Sequence, residues 1–215
     1  MHSLTTRRVI PLTIAALSLL VLVVLLLVPP EQRLGGIIRS VFLHGALVQV
    51  ALFTFAAAGL TGLAYLVRPG ERLFQWCLAL QKSAAVLWFV NAVASTIPTY
   101  QAWGVLIAWD EPRTRATAAV VGASLLVYLA ARWVNDRTFT AIFNVILAVA
   151  TWLLIKGATL VVHPFDPIGA SSSATYKGFF VALLVLVTLL TVQLTRWFHR
   201  PLPDRQPSLH RAPEH

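Results

Sequence analysis

Apolar residues in this chain are bunched into long runs, separated by short clusters of Pro, Gly, Arg and Asp. A soluble chain avoids such runs. Bilayer hydrocarbon is about 30 Å thick, so a helix that crosses it needs about 20 mostly apolar residues. Six segments satisfy that length: Val9 to Val28, Gly36 to Val67, Leu73 to Ile97, Ala116 to Val134, Phe139 to Val162 and Tyr176 to Trp197. The first is stopped by Pro29-Pro30, the second by Arg68-Pro69-Gly70, the third by Pro98 and the fifth by Pro164. Proline just past a periodic segment is a helix stop signal. The pattern therefore predicts an all-α, polytopic membrane bundle of about six transmembrane helices.

The first run follows Arg7-Arg8, as a signal peptide would. It is too long for the apolar core of such a peptide, and no small-residue cleavage site follows, so it reads as a retained anchor. Placing the N-terminus inside puts ten basic residues there: Arg7, Arg8, Arg68, Arg72, Arg132, Arg137, Arg196, Arg200, Arg205 and Arg211. The outer side then holds five: Arg33, Arg39, Arg113, Arg115 and Lys177. The excess of basic residues predicts both termini in the cytoplasm of a bacterial-type plasma membrane. Residues 1–198 read as the membrane domain, with an outer loop at 98–115. Residues 199–215, rich in Pro, Arg and His, cannot bury a core and read as a disordered cytoplasmic tail.

Composition agrees. The chain is 58% hydrophobic and only 12% charged, about half the charge of a soluble domain. The net charge of +9 reflects Lys and Arg at helix ends. No basic stripe interleaved with aromatics is present, which argues against nucleic acid as a partner. The single cysteine, Cys77, lies in an apolar run and excludes an internal disulfide, a C-x-x-C redox pair and covalent haem attachment. It reads as a small buried apolar residue. No period of 20 to 50 residues and no inverted pair of broken helices supports a transporter. Ser171-Ser172-Ser173 reads as a loop, and no histidine–acid pair at suggestive spacing points to catalysis of bond chemistry.

Two histidines stand out by height. Counting outward from the inner end of the second run, near Val67, about twenty residues reach Val48, and His44 is one turn, about 6 Å, further. Counting outward from Thr138 in the fifth run, the span ends near Gly157, and His163 follows just past it. Both histidines thus arrive on one membrane face. The loop after the third run opens there too and carries Trp103 and Trp109, six apart with apolar residues between, as in a segment lying in the interface. The plain alternatives are an aromatic belt and interfacial polar residues. Haem iron, however, accepts two neutral imidazoles as axial ligands, and tryptophan faces stack on a flat apolar ring. Arg39, Arg113 and Arg115 lie at the level where anionic propionates would need cations.

The stretch Trp103-Gly104-x4-Trp109-Asp110-x3-Thr114 resembles the tryptophan-rich WWD signature of the cytochrome c assembly proteins, the haem-handling family of CcmC and CcsA type. The order of features over Gly36 to Phe180 is similar as well: an outward histidine on the second span, the signature loop after the third, and an outward histidine after the fifth. The resemblance implies His44 and His163 as axial ligands of a non-covalent, bis-histidine haem b. It implies Trp103, Gly104, Trp109 and Asp110 as the platform for the ring edge. The implied activity is presenting haem at the outer face for attachment to apocytochrome c, with other membrane subunits of a maturation or respiratory complex as partners. Leu106 and Ile107 stand where the family has further tryptophans, and Pro164-Phe165-Asp166-Pro167 also departs from its pattern. The alternatives are a permanent b-haem electron-transfer subunit and a haem-free scaffold.

Three more features bear on the membrane interior. Lys82 lies about ten residues into the third run, where a charge must be hydrated, bonded to carbonyls or to neighbours such as Gln81 and Asn91, or face an anionic group. Lys156, near the outer end of its run, is placed to snorkel. Ala56-Ala57-Ala58-Gly59-x2-Gly62 offers small residues for close helix packing in lipid.

Overall fold

A computed structural model describes residues 2–32, 34–158 and 171–199, with side chains from residue 9 onward. Among the described residues, the regular structure is entirely helical: α1 (His2–Leu27), α2 (Ile38–Val67), α3 (Glu71–Trp103), α4 (Pro112–Val134), α5 (Arg137–Gly157) and α6 (Ala174–Phe198). All six are long and apolar enough to cross a membrane. The chain is therefore a polytopic helical bundle of the integral-membrane type.

Cross-helix contacts fix the directions. Ser40 at the start of α2 bonds Gln101 at the end of α3 (3.2 Å), and Trp152 Nε1 of α5 donates to Leu52 O of α2 (3.3 Å). Ser83 of α3 accepts from Thr195 of α6 (2.9 Å), and the Tyr176 hydroxyl at the start of α6 donates to Pro30 O after α1 (3.1 Å). The helices therefore alternate. The ends of α1, α3 and α5 and the starts of α2, α4 and α6 lie at one end, the loop face. The tight α2–α3 and α4–α5 turns lie at the other, the terminal face.

Local chemistry sets the ends. The α4–α5 turn uses Asn135 in the left-handed region (φ 52°), followed by Asp136, whose carboxylate accepts from Phe139 N at 2.6 Å. Asparagine tolerates positive φ, and aspartate is a strong N-cap. An ion pair of Arg137 with Glu71 ties the starts of α5 and α3 together on the terminal face. At the other end, α3 stops at Gly104, whose φ of 73° suits glycine and whose N–H donates to Tyr100 O (2.9 Å).

α2 is the central helix, packed against α3, α5 and α6 and touching α1 at its loop-face end. The small residues expected to permit close packing do so against α5. A Cβ added at Gly59 would lie 2.7 Å from Ala148 Cβ, and one at Gly62 would lie 2.9 Å from Ala141 O. Phe55 and Trp88 meet edge to face (6.1 Å), and Trp88 Nε1 donates to Thr117 O of α4 (3.1 Å). Large apolar side chains such as Leu60, Leu126, Leu153 and Trp133 point outward, as they must where lipid is the solvent.

Three boundaries differ from expectation. Pro98 does not stop the third helix, which runs through it to Trp103. Side-chain hydroxyls take up carbonyls around the break: Ser95 bonds Ala92 O, Thr96 bonds Val93 O and Thr99 bonds Ser95 O (2.7 to 2.8 Å). These bonds flank the Ala94 carbonyl, which Pro98 leaves without its helical N–H donor. Residues 98–103 of the expected outer loop are thus helical, and the connection shrinks to Gly104–Glu111. The fifth helix ends at Gly157 and is capped by Ala158; residues 159–162 of the expected span lie outside the described residues. His199, assigned to the tail, caps α6 (its N–H to Thr195 O, 2.8 Å) and stacks on Trp76 at 4.3 Å. Residues 200–215 lie outside the described residues.

Candidate functional site

The loop face gathers most of the residues singled out by sequence. His44 sits on α2, six residues after its first residue, and is half-buried. The Ser40–Gln101 bond sets its height. Moving four residues along each antiparallel helix places His44 level with about Ile97. Trp103 is then about 9 Å nearer the loop face, at 1.5 Å of rise per residue.

Trp103 is the last residue of α3, and Gly104 turns the chain so that residues 105–111 fold back beside it. Trp103, Val105, Ile107, Ala108, Trp109, Asp110 and Glu111 line a recess of about 390 Å³. Its apolar rim is exposed: Trp109 is 58% accessible and Ile107 48%. The two tryptophans expected to form a platform thus share one concave, apolar surface. Asp110 is exposed at its edge, while Glu111 beside it is only 3% accessible.

The three arginines are arranged differently from one another. Arg39 Nε donates to Val28 O (3.0 Å), so this side chain clips the start of α2 to the end of α1. Arg113, half-buried in the first turn of α4, lies in the field of the Glu111 carboxylate. Arg115 is exposed on the same turn. All three stand at the loop face, and Arg115 presents its guanidinium most openly. Glu111 is a residue that sequence reasoning did not single out. Its signal was its place just before Pro112 at a helix start, where a carboxylate is favoured.

His163 lies outside the described residues, as do Pro164 to Gly169. Its placement relative to His44 is therefore no part of the geometry above. α5 does end, and α6 does begin, on the loop face. Among the described residues no group of three or more His, Cys, Asp or Glu could hold a metal ion. Lys156 is exposed near the end of α5, with its ammonium 5.9 Å from the Trp152 ring centroid, so it contacts an aromatic face at the interface. Lys82 is half-buried on α3.

The loop face of the bundle thus carries the half-buried imidazole of His44, a recess with two tryptophans and the exposed guanidinium of Arg115. No model of a known protein family matches the chain, and no curated protein sequence matches it significantly.

Proposed function

We propose that the loop face binds haem b and presents it to a partner. The reading puts this face on the outer side of a bacterial-type plasma membrane, with both termini cytoplasmic. His44 and His163 would each supply an imidazole nitrogen to the iron. Trp103 and Trp109 hold the ring edge, with Gly104 and Asp110 shaping the turn between them. Arg115, helped by Arg113 and Arg39, meets the propionates. The iron supplies the ligand-exchange chemistry; the chain binds, orients and shields. The single observation that supports this reading is convergence: the imidazole on α2 and the exposed tryptophan recess lie at one end of the bundle, about 9 Å apart along the helix axes.

The stated activity is haem transfer to an apocytochrome c, in concert with other membrane subunits, with no bond made or broken by this chain. A second reading, a permanent b-haem electron-transfer subunit, is favoured by one feature. Leu106 and Ile107 are exposed where further tryptophans would enlarge the platform, so the surface is better suited to holding haem by its iron than by its ring.

Absorbance of the purified protein before and after dithionite tests both. The expected result is a Soret band with sharp reduced α and β bands, typical of six-coordinate b haem. His44→Ala and His163→Ala should each shift and weaken it. No haem in the wild type, or unchanged spectra in both variants, would overturn the ligand assignment and leave a haem-free scaffold. Mixing the loaded protein with apocytochrome c separates transfer from permanent binding.

A further inference from the structure

We propose that the bundle interior binds ordered water, in a site built by Gln81 of α3, Ser124 of α4 and Asn144 of α5 beside Cys77, and closed towards the loop face by Trp88.

Cys77, Gln81, Ala84, Trp88 and Asn91 recur on α3 at spacings of four and three, and all are buried. Their contacts show where this stripe points. Cys77 Sγ accepts from Asn144 Nδ2 of α5 (2.9 Å) and bonds Ala58 O of α2 (3.5 Å), while Trp88 bonds Thr117 O of α4. The stripe therefore faces the groove between α2, α4 and α5. Ser124 lies on the buried stripe of α4 with Ala116 and Val120.

The helix starts are level on the terminal face, because Glu71 pairs with Arg137 and α4 turns directly into α5. From that level, 1.5 Å per residue puts Cys77 at about 9 Å, Asn144 at about 10 Å, and both Gln81 and Ser124 at about 15 Å. Three helices thus bring polar side chains to within about one helical turn of each other in height, about 10 to 15 Å from the terminal face.

Gln81 Nε2 and Oε1, Asn144 Oδ1 and Ser124 Oγ are buried with no hydrogen-bond partner among the described residues. Gln81 and Asn144 are each only 2% accessible. Buried polar groups are almost always paired, and the penalty for leaving them unpaired is greatest where lipid surrounds the bundle. The chemistry of the set selects the occupant. Gln81 Nε2 needs an acceptor, while Gln81 Oε1 and Asn144 Oδ1 need donors. One of the two N–H donors of Asn144 Nδ2 is committed to Cys77. A cation would satisfy the oxygens and oppose the Nε2 donor, and an acyl chain would satisfy nothing. Water donates and accepts, and a buried water normally has two to four polar partners. Trp88, fully buried one to two turns further on, fills the groove beyond.

The sole cysteine is a built-in reporter. The full chain in lipid nanodiscs would be exposed to an X-ray pulse, and oxidation at Cys77 read by mass spectrometry. Radicals arise from ordered water in place, so a residue touching trapped water is labelled even where bulk solvent is excluded. Cys77 is expected to be labelled severalfold faster in the wild type than in the Gln81→Leu/Ser124→Ala double variant, which keeps the Asn144–Cys77 bond. Equal rates would overturn the proposal in favour of direct side-chain bonds between the three helices. Should the double variant not fold, the Gln81→Leu single variant takes its place in the same comparison, and equal rates there overturn the proposal.

Discussion

Replacing Gly59 or Gly62 by alanine is the most direct probe of the bundle. At Gly59 the new methyl would sit 2.7 Å from Ala148 Cβ, where carbon atoms prefer about 3.5–4.0 Å. α2 and α5 must therefore part by about 1 Å, since neither atom is the end of a flexible side chain. At Gly62 the obstacle is the backbone oxygen of Ala141 at 2.9 Å, with Cys77 Sγ at 3.4 Å behind it. Overpacking of this kind costs about 1–3 kcal/mol. Alanine recovers about 1 kcal/mol of helix propensity, leaving a net loss of roughly 0–2 kcal/mol. Gly122 and Gly178 serve as controls, since an added Cβ at either meets nothing within 4 Å. There the propensity gain stands alone, and alanine should be neutral or stabilising. Reversible denaturant titration in mixed micelles, followed by circular dichroism, would measure all four. The order Gly62→Ala ≤ Gly59→Ala < wild type ≤ Gly122→Ala and Gly178→Ala is expected. If the first two are as stable as the controls, the α2–α5 contact is not the close one described.

Trp88→Phe should keep the edge-to-face contact with Phe55 and lose only the bond to Thr117 O, at a cost of about 1 kcal/mol; Trp88→Ala opens a cavity and should cost about 3–5 kcal/mol in the same titration. For the proposed haem site, Trp103→Ala and Trp109→Ala should each weaken haem retention about threefold to tenfold, from the ~0.5–1.5 kcal/mol value of an aromatic contact, without moving the Soret maximum. Haem extraction by apomyoglobin measures this, and a spectral shift as large as that of His44→Ala would contradict a platform role.

Much of the fold was legible because lipid removes ambiguity. With no water to solvate the backbone, a run of about twenty apolar residues has few alternatives to a helix. All six spans and the α2 small-residue contact were accordingly visible. Pro98 misled because proline normally ends helices. In α3 the hydroxyls of Ser95, Thr96 and Thr99 hold carbonyls around it, and nothing in the proline itself signals that. The site was legible only in part. Heights could be counted along helices, so His44 and the tryptophan pair could be placed at one end. Arg39 could not be recognised as a clip on Val28 O, because that bond depends on how α1 leans on α2. Gln81 drew attention only as a neighbour of Lys82. Its place on the buried stripe with Cys77 required knowing which face of α3 turns inward.

The packing of α2 and the proposed site are not independent. His44 rides on α2, and Gly157, where α5 ends, leads on to His163. Below them, the α2–α5 distance is set by Gly59 and Gly62, helped by the Trp152–Leu52 bond. A methyl that forces these helices about 1 Å apart therefore moves the base of one proposed ligand relative to the base of the other. Iron–imidazole bonds tolerate far less than that without a change of ligation. Gly59→Ala, though still folded, should then broaden or shift the Soret band, whereas Gly122→Ala, on α4, should leave it untouched. A normal spectrum in folded Gly59→Ala would mean that the two ligands do not depend on the α2–α5 contact, and would count against their sharing one iron.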